Sequence, residues 1–154
     1  MALDLMTLKQ QVHQNLSEQI EQRITNAKKA MEAAANARNK ETKSSSGDKF
    51  ETNRAMMHAQ EERNKVQLIK AISLKNNLLQ IKQFSVLDKI GLGCLVFTSE
   101  GKFYLSVGFG KLKVNGITIY AISRAAPIGK LLWNKCIGEK IIYNGKTLII
   151  QDLI

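Results

Sequence analysis

Apolar residues recur along the first forty positions at spacings of three or four: Leu5, Leu8, Val12, Leu16, Ile20, Ile24, Ala27, Met31 and Ala34. That period places one apolar stripe on one face of a long helix. The stripe thins into Ala33-Ala34-Ala35 and then into the polar run Asn36 to Lys43, and Ser44-Ser45-Ser46-Gly47 breaks the helix. A second helix is predicted from near Asp48, with apolar positions returning at Val66, Ile69, Ile72, Leu78 and Leu79. Two long helices around one short turn make an antiparallel coiled-coil hairpin, with its tip near 44–51. Thirty-odd residues per arm give a length on the order of 50 Å. The apolar seam is strong at the base and poor near the tip, which predicts a polar end presented to solvent or to a partner's cavity.

After residue 85 the period switches to two. Cys94 to Thr98 and Phe103 to Val107 read as strands around the Ser99-Glu100-Gly101 turn, and Ile117 to Ile122 as a third. Pro127 suits the first turn of a short helix that turns Leu131, Leu132 and Trp133 to the sheet. Ile141 to Tyr143 and Thr147 to Ile150 flank Asn144-Gly145, a strong hairpin signal. The predicted fold class is α+β, with a hairpin over 1–80 and a small antiparallel sheet domain with one short helix over 86–154. That domain, at about 65 residues, is near the lower size for independent folding.

Composition sharpens the division: one Gly and no Pro precede residue 85, and nine Gly and the only Pro follow it. The formal charge is +10, made of +4 over residues 1–80 and +6 over 81–154, so the excess is spread over both parts. It calls for an acidic partner, most simply nucleic acid or a machine that handles it. Aromatic residues are only 6%, which argues against a base-stacking platform. No apolar run reaches the ~18 residues of a membrane span. The early Asp4 and the lack of a basic flank before an apolar stretch predict no secretory signal, so the expected location is cytoplasmic. Cys94 and Cys136 have neither disulfide-framework nor zinc spacing and read as buried small apolar groups. His13 and His58 have no second ligand at useful spacing and read as surface or seam residues, and Trp133 as a packing residue.

Asp48 and Glu51 lie three apart at a helix start, so their carboxylates share one face. Acids in a first turn stabilise the macrodipole by roughly 0.3–1 kcal/mol each, which is the ordinary reading of the pair. The chemical reading is a hard-cation site: two adjacent carboxylates repel unless a cation, a hydrogen bond or a proton intervenes. Mg²⁺ suits one or two carboxylates that leave most of its shell to water and phosphate. Two residues cannot hold it alone, so activity of the isolated chain is not expected.

The chain resembles the bacterial transcript-cleavage factors of the GreA/GreB family over nearly its whole length. The segments that carry the likeness are Gly91-Leu92-Gly93-Cys94-Leu95-Val96, the run Ile122-Ser123-Arg124-Ala125-Ala126-Pro127-Ile128-Gly129-Lys130-Leu131-Leu132, and Asn134 to Glu139. At the tip, Gly47-Asp48-Lys49-Phe50-Glu51 resembles the family pattern G-D-x-x-E. The resemblance implies an FKBP-like C-terminal domain that docks on RNA polymerase through Ser123, Pro127, Ile128 and Gly129. It implies a hairpin that enters the secondary channel, where Asp48 and Glu51 help hold a catalytic Mg²⁺ shared with the polymerase, which then cleaves backtracked RNA. Lys28, Lys29, Arg38, Lys40 and Lys43 would follow the phosphates of the RNA 3′ end, or equally form a solvated charged face.

Departures from the family pattern are Ala126 in place of Ser, Thr52 in place of Asn, and Arg54 and Ala55 in place of an acid and an aromatic. They keep open a relative that occupies the channel without stimulating cleavage. A prolyl isomerase and a coiled-coil scaffold that dimerises through its first helix are two further alternatives, whereas an intramolecular hairpin predicts a monomer.

Overall fold

The computed structural model describes residues 4–43, 47–82 and 88–154, with 41–43 and 47–50 described by backbone alone. The elements run α1 (Leu5–Lys43), α2 (Gly47–Leu79), β1 (Leu95–Thr98), β2 (Gly101–Leu105), β3 (Gly110–Val114), β4 (Ile117–Ile122), α3 (Pro127–Leu132), β5 (Lys140–Tyr143) and β6 (Lys146–Leu153). The tip turn at 44–46 lies outside the described residues. The chain divides into two compact units, Gln19–Lys75 and Met1–Glu18 with Asn76–Ile154.

Within Gln19–Lys75 the two helices pair antiparallel. Lys75 Nζ lies 2.7 Å from Glu21 Oε1, the Asn64 side-chain amide donates to the Ala30 carbonyl at 3.3 Å, and Arg38 reaches Glu61 at 3.2 Å. These three contacts fix the register. On α1 the stripe is where the sequence placed it: Ile20 and Ile24 are buried, and Ala27, Met31 and Ala34 half-buried. The α2 side of the seam differs from expectation. It consists of Met57, Glu61, Asn64, Leu68 and Ala71, while Val66, Ile69 and Ile72 face solvent at 44%, 57% and 39% exposure. The apolar residues of α2 are divided between two faces, and the inward one contains the smaller and more polar set.

The other unit is built on a six-stranded sheet ordered β3-β4-β2-β1-β6-β5. The sheet is mixed, which corrects the all-antiparallel expectation: β2 pairs with β4 in parallel, Phe103 opposite Tyr120 and Leu105 opposite Ile122. The physical reason is β3, a strand the sequence reading omitted. It makes a hairpin with β4 around Asn115-Gly116, whose φ values of 52° and 76° are those of a primed two-residue turn. The chain leaves β2, adds β3 at the far edge and returns between them.

One sheet face carries Val96, Leu105, Leu148, Ile150 and Leu153, which pack with Ile128 and Leu132 of α3 into a core completed by Phe103, Ile122, Trp133 and Tyr143. Tyr104, on the opposite face of β2, is fully buried, and His13 of α1 reaches its hydroxyl. Gln11 accepts a hydrogen bond from Asn115 on the same side. The first turns of α1, with Leu8, Val12 and Leu16 buried, therefore close that face.

Candidate functional site

The acid pair of the hairpin sits at the start of α2. The helix begins at Gly47, so Asp48 and Glu51 both belong to its first turns. Glu51 is exposed; the side chains of Asp48 and Lys43 lie outside the described residues. Arg54, one turn after Glu51, is also exposed. Among the described residues no group of three or more His, Cys, Asp or Glu converges as a metal site. Asp48 and Glu51, three apart on one helix turn, offer two hard oxygen ligands of the kind Mg²⁺ takes, too few to enclose it by themselves.

Of the basic residues on α1, Lys28, Lys29 and Lys40 are exposed. Arg38 is placed differently: its Nη1 lies 3.2 Å from both carboxylate oxygens of Glu61 across the seam. It bridges the helices in the tip-ward half of the hairpin, between the seam residues Met57 and Asn64 of α2.

On the sheet unit, the segment Ser123–Gly129 forms the turn that launches α3. The Ser123 carbonyl and hydroxyl both accept from the Ala126 amide at 3.2 Å, and Pro127 occupies the first helical turn. A Cβ on Gly129 would meet the Ser123 carbonyl oxygen at 2.1 Å, so only glycine allows the helix to approach the turn this closely. Ser123 is half-buried, Ile128 and Gly129 are buried, and Pro127 alone of the four is exposed.

Of this segment Ile128 enters the wall of a cavity of 440 Å³ that the sequence reading did not anticipate. Phe103, Tyr120, Ile122, Ile128, Tyr143 and Leu148 line it, and Glu100, Asn144 and Lys146 stand at its polar edge. Phe103 and Tyr120 come together because β2 and β4 are parallel neighbours in register; their ring centroids are 6.0 Å apart. Tyr143 arrives from the Asn144-Gly145 hairpin. The signal was present in the alternation of β2 and β4, yet it could be used only after the parallel pairing was known. Apolar pockets with a few polar groups at the rim are the usual form of a recognition site.

A second cluster lies on the opposite sheet face. Lys9 is fully buried, and burial holds its amine below the ordinary lysine value, while Cys94, a member of the core on the α3 side, acts the other way as the smaller cause. His13 Nδ1 is 2.7 Å from the Tyr104 hydroxyl; burial, and then the charge of Lys9, lower its pKa. Burial raises Tyr104 well above the ordinary phenol, so its hydroxyl stays protonated, and raises Cys94 likewise. Neither thiol behaves alike: Cys94 is buried as expected, whereas Cys136 is only half-buried, in a turn where its amide donates to Glu139 at 2.6 Å. His13 is a packing residue and His58 is exposed. Trp133 packs against the core with the Arg124 guanidinium 4.0 Å above its ring.

No protein-family model matches the chain, and no curated protein matches it. A solved structure, that of the transcription factor Gfh1, is similar over 90% of this chain and 93% of its own, at 16% identity and a TM-score of 0.39.

Proposed function

We propose that this chain is a bacterial RNA polymerase-binding elongation factor that enters the secondary channel and stimulates cleavage of backtracked RNA. The observation that carries the reading is the placement of Gly47-Asp48-Lys49-Phe50-Glu51 at the first turn of the returning helix of a long hairpin, with Glu51 exposed there. The order of elements, hairpin then sheet with Ser123–Gly129 at the start of α3, supports it.

In this proposal Asp48 and Glu51 would offer carboxylate oxygens to a Mg²⁺ that the polymerase would hold as well. When bound, that ion supplies activation of water and neutralisation of the leaving oxygen, so the factor is an activator and not itself an enzyme. Lys28, Lys29, Lys40 and Lys43 offset phosphate charge along the RNA 3′ end. The sheet unit supplies the polymerase docking surface, with Pro127 exposed and Ile128 in the wall of the apolar cavity.

The test is a stalled, backtracked elongation complex with and without the protein. Wild-type protein is expected to release short 3′ RNA fragments, and Asp48→Ala with Glu51→Ala to reduce that stimulation by tenfold or more (about 1.4 kcal/mol per decade). The protein without polymerase should leave RNA intact. Stimulation that survives the double substitution rules out the acid assignment.

A second reading, a channel-occupying regulator that does not stimulate cleavage, is favoured by one observation: the exposed Arg54 one turn from Glu51. A guanidinium there competes with a cation for the carboxylate. Binding to polymerase with unchanged or reduced cleavage selects it.

A further inference from the structure

The inward and outward faces of α2 are assigned in an order that folding alone does not favour. The seam buries Asn64 to 9% exposure and half-buries Glu61, while five apolar residues in 56–72 look outward: Met56, Ala59, Val66, Ile69 and Ile72. Single exposed apolar residues are ordinary, but a row of β-branched residues outside and an amide inside is a conflict between local pattern and fold. Turning the helix to bury Ile69 would gain roughly 1.5–3 kcal/mol from that side chain alone. Asn64 stays inside because its amide is satisfied by the Ala30 carbonyl, and it accepts from Gln60. A groove of 520 Å³ lined by Asn53, Met56, Met57, Ala59, Gln60 and Arg63 lies nearer the start of α2, between the outward face and the seam residue Met57. Sixteen rises from Met56 to Ile72 span about 24 Å, the length of a four- to five-turn helix.

The charges beside this row choose the occupant. Lys65 precedes Ile69 by four residues, Lys70 follows Val66 by four, and Arg63 precedes Val66 by three, so Lys65 borders the Val66–Ile69 stripe on one edge and Arg63 and Lys70 border it on the other. Glu62 is the only exposed acid among residues 56–72. A second copy of this chain would bring these cations against their own equivalents. A lipid surface is disfavoured because the row contains no Trp, Tyr or Phe to seat in the headgroup layer. We propose that the outward face of α2 over residues 56–72 is a docking site for an acidic amphipathic helix of a partner protein. It lays apolar side chains at i, i+3, i+4 and i+7 along Val66, Ile69 and Ile72 and sets flanking Glu or Asp beside Arg63, Lys65 and Lys70. This site is independent of the acids at the tip and stands whichever proposed activity holds.

The experiment titrates the full chain against three designed helical peptides of ~20 residues with one apolar stripe and flanks of Glu, Gln or Lys. Binding is followed by fluorescence anisotropy. The Glu-flanked peptide is expected to bind at micromolar concentration, at least tenfold tighter than the Gln-flanked one, with the Lys-flanked one weakest and the Glu complex weakened by added salt. Ile69→Gln with Ile72→Gln should weaken binding tenfold or more while circular dichroism and melting temperature stay at wild-type values, since both side chains are exposed. Lys65→Glu with Lys70→Glu should reverse the order of the peptides. No binding of the Glu-flanked peptide at 200-fold above the micromolar range, or equal binding by the Ile69→Gln/Ile72→Gln chain, overturns the proposal. So does a dimer by light scattering, or adsorption to anionic vesicles, that the same two substitutions abolish.

Discussion

Burial sets the electrostatics at the root of α1, and one buried amine adds to it. Lys9 is removed from solvent, His13 sits one turn on, and Tyr104 meets the imidazole from the sheet. Because burial and the charge of Lys9 both disfavour imidazolium, the folded chain binds a proton at His13 less readily than the unfolded chain. The unfolded state therefore takes up more protons as pH falls through the ordinary histidine range near 6.5 and below. Stability is full above that range and declines on acidification until the folded-state pKa is passed. One proton limits the slope to about 1.4 kcal/mol per pH unit. Urea unfolding midpoints measured between pH 8 and 5 should fall on the acid side for wild type, and the fall should flatten in His13→Gln. A midpoint that rises on acidification, or an unchanged slope in the variant, contradicts the assignment. Lys9 acts with the same sign at alkaline pH: stability increases as pH rises from its lowered folded value toward 10.5.

At the scale of elements, α3 shows what a missing cap costs. Ala126 occupies the N-cap in extended conformation and has no side-chain oxygen, so no side-chain cap bond forms; Ser123 instead receives the Ala126 amide. Ala126→Ser supplies an acceptor for the Ile128 or Gly129 amide and should stabilise the protein by about 0.5–2 kcal/mol. A rise of several °C in melting temperature checks it; a lower one rules it out. The same helix start was legible in the sequence from Pro127, and so was the α1 stripe, because every apolar position from Leu8 to Ile24 keeps one period on one face. The α2 seam was not legible. Val66, Ile69 and Ile72 are a stronger apolar signal than Asn64 and Ala71, and nothing in a single sequence says which of two faces meets the partner helix. β3 was missed because Lys111 and Lys113 dilute its hydrophobicity, as suits an edge strand. Its turn, Asn115-Gly116, has the same chemistry as Asn144-Gly145, which was recognised.

For the whole molecule, the helical hairpin and the turn before α3 were legible in the sequence, whereas the cavity depends on a parallel strand pair between residues 17 positions apart, which periodicity cannot reveal. The tip acids and the cavity lie in different compact units. If one unit holds the polymerase and the other completes its chemistry, their defects must be separable. Asp48→Ala with Glu51→Ala should leave polymerase affinity within about twofold, since no docking surface is altered, while stimulated cleavage falls tenfold or more. Tyr120→Asp places a carboxylate at the mouth of the apolar cavity, at a side chain 41% exposed, so the fold tolerates it. It should weaken polymerase binding by tenfold or more, and saturating protein should restore cleavage to the wild-type rate. The measurement is a concentration series of each variant on backtracked complexes, with affinity read separately by anisotropy. A Tyr120→Asp chain that binds normally removes the cavity from the docking surface; one that cannot be rescued by saturation means that the cavity contributes to the cleavage step as well as to binding.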